Sequence, residues 1–251
     1  FAYRLRVSLP RPDFELRVVP SMLNASPGAV IPVDVYAVRR DGFSDDIRLE
    51  LLDVPEGMRL SGNWIPSGQD HATVTVTVPP SVKPGIRGLT LVGKARLGDR
   101  EIVRTAVAAD DMMQAFYYHH LVPAGNWAMN VSGRSRYGVT WVLPPENAVQ
   151  IPIADKTEVR LPWIGGSATN LTIQLSNAPD GISLADVVRD NNGAKVILAV
   201  DKEKIKPGTK GNLVFGLYGE TQRRGLVATS TQTIRYFAGW LPAVPFVVTE
   251  H

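Results

Sequence analysis

Apolar and polar residues alternate at period two along most of this chain. Residues 71–78 read His-Ala-Thr-Val-Thr-Val-Thr-Val, which puts Val74, Val76 and Val78 on one face and the threonines on the other. Ile31, Val33, Val35 and Ala37 repeat the pattern, as do Ile47, Leu49 and Leu51. Successive side chains on a strand point to opposite faces, so this rhythm turns one face into a core and leaves the other toward water. It predicts strands over 14–19, 30–39, 47–53, 58–61, 72–78, 88–97 and 100–108, then 127–131, 138–142, 157–161, 170–176, 195–201, 211–218 and 225–237. Ser26-Pro27-Gly28, Asp41-Gly42, Gly98-Asp99 and Asn192-Gly193 mark turns between them. Two sets of about seven short strands with such punctuation describe antiparallel β-sandwiches. No helical period competes.

The chain also repeats itself. Val54-Pro55-Glu56-Gly57-Met58-Arg59-Leu60 returns as Ala178-Pro179-Asp180-Gly181-Ile182-Ser183-Leu184, about 124 positions later. Val82-Lys83-Pro84-Gly85 returns as Ile205-Lys206-Pro207-Gly208 at nearly the same offset, and Ile47, Leu49 and Leu51 map onto Leu171, Ile173 and Leu175. Two landmarks and a core pattern in one order predict a tandem of two like domains with one strand order. The fold class is therefore all-β: two tandem Ig-like, fibronectin III-like antiparallel β-sandwiches. The expected bounds are 10–109 for the first sandwich and 124–251 for the second. Residues 110–123 hold two methionines and three aromatics. Burying such side chains is worth about 25 cal/mol per Å², so a packed junction is expected there. Residues 1–9 alternate like a strand before Pro10 and Pro12 interrupt, and read as the last strand of a preceding domain or an added edge strand.

Composition narrows function mainly by exclusion. The 251 residues are 44% apolar and 20% charged, ordinary for globular domains, with a formal charge of only +3. The arginines and lysines are scattered among acids, so the basic stripe that nucleic-acid binding needs is missing. Cysteine is absent, which removes thiolate catalysis, disulfides and Cys-ligated zinc. No apolar run approaches the ~18 residues of a membrane helix, so membrane insertion is not expected. The start at Phe1 rather than Met reads as a processed or excised piece.

Candidate chemistry is sparse. Gly165-Gly166-Ser167-Ala168-Thr169 lacks the closing glycine of a nucleophile elbow, and none of the histidines His71, His119, His120 and His251 accompanies a nucleophile motif. No catalytic residue and no cofactor is expected. His119 and His120 are adjacent, so on a strand they face opposite ways and do not share one ion. Asp110 and Asp111 are the calcium candidates, with Asp70, Glu146 and Asp155 as further oxygens; the alternative is that one of them caps a helical turn. Asp190-Asn191-Asn192-Gly193 lacks the ligand spacing of a calcium loop and reads as a hairpin turn. Among the five tryptophans, Trp64 and Trp163 stand beside loop signals and are the carbohydrate candidates, because an indole face packs on a sugar ring.

The stretch from Tyr3 to Phe43 (YRLRVSLPRPDFELRVVPSMLNASPGAVIPVDVYAVRRDGF), then GNWIPSGQD at 62–70 and AADDMMQAFYYHHLVPA at 108–124, resembles large exported proteins of planctomycete-type bacteria. In those, a pre-peptidase C-terminal-like β-domain is followed by Ig-like modules. The resemblance implies a non-catalytic structural or interaction module of a secreted, periplasmic or cell-surface bacterial protein. Its partners would be neighbouring domains of the same polypeptide, and a glycan or another surface protein. The alternative is a carbohydrate-binding module accessory to a glycan-degrading enzyme.

Overall fold

The computed structural model describes residues 9–113, 118–133, 140–141, 148–153, 156–164, 171–190, 193–224 and 231–250. The first sandwich is built from β1 (Asp13–Val19), β2 (Met22–Ala25), β3 (Val30–Arg40), β4 (Ile47–Leu52), β5 (Arg59–Ser61), β6 (Trp64–Ile65), β7 (His71–Thr77), β8 (Gly85–Gly88), β9 (Thr90–Leu97), β10 (Arg100–Thr105), β11 (Val107–Met113), β12 (His119–Pro123) and β13 (Ala128–Val131). The second contains β14 (Thr140–Trp141), β15 (Val149–Pro152), β16 (Thr157–Ile164), β17 (Leu171–Ser176), β18 (Ile182–Asp190), β19 (Gly193–Val200), β20 (Lys210–Arg224), β21 (Thr231–Trp240) and β22 (Val244–Thr249).

The two halves share one strand order. In the first, β1-β3-β7-β5 forms one sheet and β10-β9-β4 the other; in the second, β14-β16-β19-β18 faces β21-β20-β17. That is the order A-B-E-D against G-F-C of an Ig-like sandwich. The alternating residues meet between the sheets: Phe14, Leu16, Val33, Val35, Ile47, Leu49, Val74 and Val76 are buried in the first core. Leu171, Ile173, Val196, Leu198, Leu213 and Phe215 are buried in the second. The Pro-x-Gly landmarks make the same turn twice. Met58 donates its N–H to the Pro55 carbonyl at 3.0 Å and Ile182 to the Pro179 carbonyl at 3.1 Å, with Gly57 and Gly181 at φ of 83° and 96°. At the hairpin turn expected over 190–193, Asp190 stands opposite Gly193, while Asn191 and Asn192 lie outside the described residues.

The repeat reaches further than its sequence landmarks. In the second sandwich, β20 pairs with β21 along its far half and with β22 along its near half, and β22 runs parallel to β15. In the first, β9 pairs with β10, whereas the preceding β8 pairs with β13, which runs parallel to β2. So β13 is the counterpart of β22. It closes the first sandwich, and Trp127, Met129 and Val131 sit in the first core. The expected boundary at 124 is therefore corrected: Ala128–Val131 belongs to the first domain, because only there do β2 and β8 offer it two hydrogen-bonding edges.

What stands between β10 and β13 is a hairpin, β11 with β12. Strand β11 leaves β1 after Val18↔Ala108 and among the described residues continues paired with β12, through Asp110↔Val122 and Met112↔His120. Its side chains are not packed away: Met112, Met113 and Tyr118 are 54%, 62% and 67% exposed. The expected packed junction is thus corrected to a projecting hairpin. Its ladder satisfies the backbone without requiring a covering layer. Residues 1–8 of the 1–9 stretch expected as a remnant strand or an added edge strand, and Gln114 to Tyr117, lie outside the described residues.

Replacing Gly57 or Gly181 by alanine tests the equivalence of the two turns. A non-glycine residue at such a φ costs about 1–3 kcal/mol. At Gly181 an added Cβ also meets Ile205 Cβ at 3.0 Å, against 3.2 Å to Pro79 Cβ at Gly57. Urea unfolding is expected to show both variants destabilised, with Gly181→Ala at least as costly as Gly57→Ala.

Candidate functional site

The threonine face of β7, predicted to meet solvent, is covered by the second sandwich. Thr73 is 9% and Thr75 0% exposed. A β-branched hydroxyl residue suits a strand and also offers a hydrogen-bonding group at a polar interface. Ala243 donates its N–H to Thr75 Oγ1 at 2.8 Å. Beside it Asn212, 8% exposed, donates both protons of Nδ2, to the Gly62 carbonyl at 2.7 Å and the Thr73 carbonyl at 3.0 Å. Its Oδ1 is buried without a partner among the described residues. Gly62 leaves room for this amide: an added Cβ would stand 2.6 Å from Asn212 Cγ.

Lys210, two residues earlier on β20, pins the rim. Its carbonyl accepts Gln69 Nε2 at 2.7 Å, its ammonium lies 5.4 Å over the Trp64 ring centroid, and Asp46 Oδ2 is 4.0 Å away. That last pair is half exposed on both sides and contributes little. The cation–π contact and the backbone bond hold the lysine's stem in place.

Two depressions flank this contact. One, of about 410 Å³, is lined by Asp34, Tyr36, His71 and Thr73 of the first sandwich and by Pro179 and Lys210 of the second. Here Thr73 Oγ1 donates to Asp34 Oδ1 at 2.6 Å, and His71 Nε2 lies 3.1 Å from the same oxygen. The His71 ring stacks at 4.6 Å on Tyr36. Burial works to raise the Asp34 pKa, but the hydrogen bonds from His71 and Thr73 outweigh it and hold the carboxyl below its ordinary 3.8. Burial, then the charges of Asp34 and Asp111, push the Tyr36 phenol up.

The second depression, about 770 Å³, lies on the other side of the contact. Asp46, Arg48, Asn63, Trp64, Lys94 and Arg96 line it, with Asp99 and Glu101 at the β9–β10 turn and Ala148 and Pro245 from the second sandwich. Cross-strand register explains the grouping: Arg48 stands opposite both Lys94 and Trp64, and Glu101 opposite Arg96.

Of the residues singled out from sequence, Trp64 is in this cleft. It is half-buried in a short strand under Lys210 rather than on a free loop, so the tertiary contact changes its expected exposure. Trp163 lies on β16 in register with Trp141; its side chain lies outside the described residues. Asp110 and Asp111 are consecutive on β11, not at a helical turn, and so face opposite ways. Asp110 Oδ1 accepts the Ser21 N–H at 3.2 Å, and Asp111 Oδ1 lies 3.0 Å from His119 Nδ1. Glu146 and Asp155 lie outside the described residues, and Asp70 pairs with Arg39. Among the described residues no three acidic or imidazole groups converge on one point. Sequence reasoning missed Asn212, Gly62 and Lys210. The glycine-rich start of β20 was the available signal, and it points equally to a plain strand.

No family model matches the chain, and no curated protein matches it in sequence. Among solved structures, one titin pair of tandem Ig domains is 8% identical, with 95% of this chain and 96% of that chain covered and a TM-score of 0.23. Another titin structure is 11% identical, with 95% and 98% covered and a TM-score of 0.24. The Ig-like assignment rests on the strand order and not on these superpositions.

A carboxyl held below its ordinary pKa stabilises the fold above the unfolded value and loses that contribution as pH falls through the folded one. For Asp34 the window lies below about pH 4. Urea titrations from pH 7 to 2.5 are expected to show a smaller acid loss of stability in Asp34→Asn than in the unaltered protein.

Proposed function

We propose that this chain is a non-catalytic structural and interaction module of a larger exported bacterial protein, in which two Ig-like sandwiches are locked side by side to hold their neighbours at a set orientation. The observation that carries the reading is the Asn212 amide, seated between two carbonyls of the other sandwich. Buried polar bonds are directional, so they define one docking geometry where a greasy contact would tolerate many. Each such bond contributes about 0.5–1.5 kcal/mol, and a buried carbonyl left without its donor costs about 1–3 kcal/mol. Sliding or tilting the pair would strand the carbonyls of Gly62 and Thr73 together. An orienting spacer needs that kind of resistance. Secretion or display at a cell surface fits the same reading, as does a set of neighbours on the same polypeptide.

Small-angle scattering with matched glycine variants tests this. Gly62 and Gly68 have φ of 71° and 72°, but an added Cβ at Gly68 meets nothing within 4 Å. Gly62→Ala is expected to enlarge the radius of gyration, and Gly68→Ala to leave it unchanged although both carry the same backbone strain. Asn212→Ala is expected to follow Gly62→Ala. An unaltered protein whose scattering requires an ensemble of inter-domain orientations would sink the proposal.

A further inference from the structure

The 770 Å³ cleft beside the contact has properties that a spacer does not require. Its volume falls within the ~300–1,000 Å³ of small-molecule sites. Among the described residues it carries three cations, Arg48, Lys94 and Arg96, and three carboxylates, Asp46, Asp99 and Glu101. Lys94 pairs with Glu50 on the sheet, and Asp46 Oδ1 accepts the Ser67 N–H at 2.6 Å. Among the described residues, neither guanidinium is held by a carboxylate. The Trp64 indole N–H is buried and has no hydrogen-bond partner among the described residues. Arg48, Arg96, Asp99 and Glu101 thus line the same cleft as Trp64 and offer it separate donors and acceptors.

Three ligand classes can be weighed against that chemistry. Nucleic acid requires a net positive surface, and the charges of the described lining residues cancel. A protein partner is anchored by apolar knobs in apolar pockets, whereas among the described residues the apolar lining is Trp64, Ala95, Ala148 and Pro245. An uncharged polyol is different. Its vicinal hydroxyls bridge the two nitrogens of a guanidinium or the two oxygens of a carboxylate, donating and accepting at once. Its C–H face packs on indole.

We propose that this cleft binds a neutral oligosaccharide, with Trp64 as the apolar surface, Arg48, Arg96 and Asn63 as donors, and Asp99 and Glu101 as acceptors. The site rests on the locked arrangement proposed above, because Ala148 and Pro245 of the second sandwich form one wall. The locked arrangement does not depend on the site.

The test is a glycan array carrying neutral, uronate-bearing and sulfated oligosaccharides, followed by calorimetry with cello-, xylo-, manno- and malto-hexaose. Arg48→Ala is the main variant, since among the described residues that side chain makes no hydrogen bond or ion pair; Trp64→Ala is the second. Scattering and Tm are recorded for each. Selective binding to neutral glycans is expected, weakened at least tenfold by Arg48→Ala with scattering and Tm unchanged. Trp64→Ala is expected to weaken it likewise. Absence of binding by the unaltered protein overturns the proposal. So does binding confined to uronate or sulfate glycans, or binding that survives both substitutions. If scattering still reports a locked pair in those cases, only the glycan site fails and the spacer reading stands.

Discussion

The Asn212 amide carries more of this architecture than any other single group. Its two N–H bonds go to carbonyls of Gly62 and Thr73, across the boundary between the sandwiches. A side chain so buried must have its donors matched, and here both are, while Oδ1 has no partner among the described residues. That imbalance is a cost, and the two bonds offset it only in one geometry. The lock therefore specifies an arrangement more than it adds stability. Thr75 receiving the Ala243 N–H, and Lys210 spread over Trp64, repeat the same logic at either side.

This contact also decides what the rest of the surface becomes. By covering the β7 threonines it leaves two depressions along its margin, one organised by Asp34 and His71 and the other by Trp64 and Arg48. Neither would exist on an isolated sandwich, since each takes part of its wall from the second domain. The β11–β12 hairpin extends from the β1 edge of the first sandwich, and its side chains Met112, Met113 and Tyr118 remain exposed. It interrupts the last strand between β10 and β13 without disturbing the core, because β13 recovers the edge that β22 uses in the other half.

Most of the fold was legible because period-two alternation and turn chemistry are local. Val74 and Val76 face inward whatever lies beyond the sheet, and Pro55-x-Gly57 turns the chain as Pro179-x-Gly181 does. The elements that escaped notice have non-local causes. Strand β22 reads Val-Pro-Phe-Val-Val-Thr, buried on both faces in part, so it does not alternate. Strands β2 and β15 are four residues each and are defined by the parallel partners they find at the end of the domain.

By itself the sequence determined two sandwiches of one strand order, their cores, and the absence of thiol chemistry, since these follow from spacing, turn residues and composition. Only the tertiary structure decided which outward faces are outward. The threonines of β7 have the same pattern whether they meet water or Asn212, and Trp64 looks like a loop residue until Lys210 is placed above it. A contact between residues about 140 positions apart leaves no mark on local periodicity. For that reason the core could be read from the chain, and the interface could not.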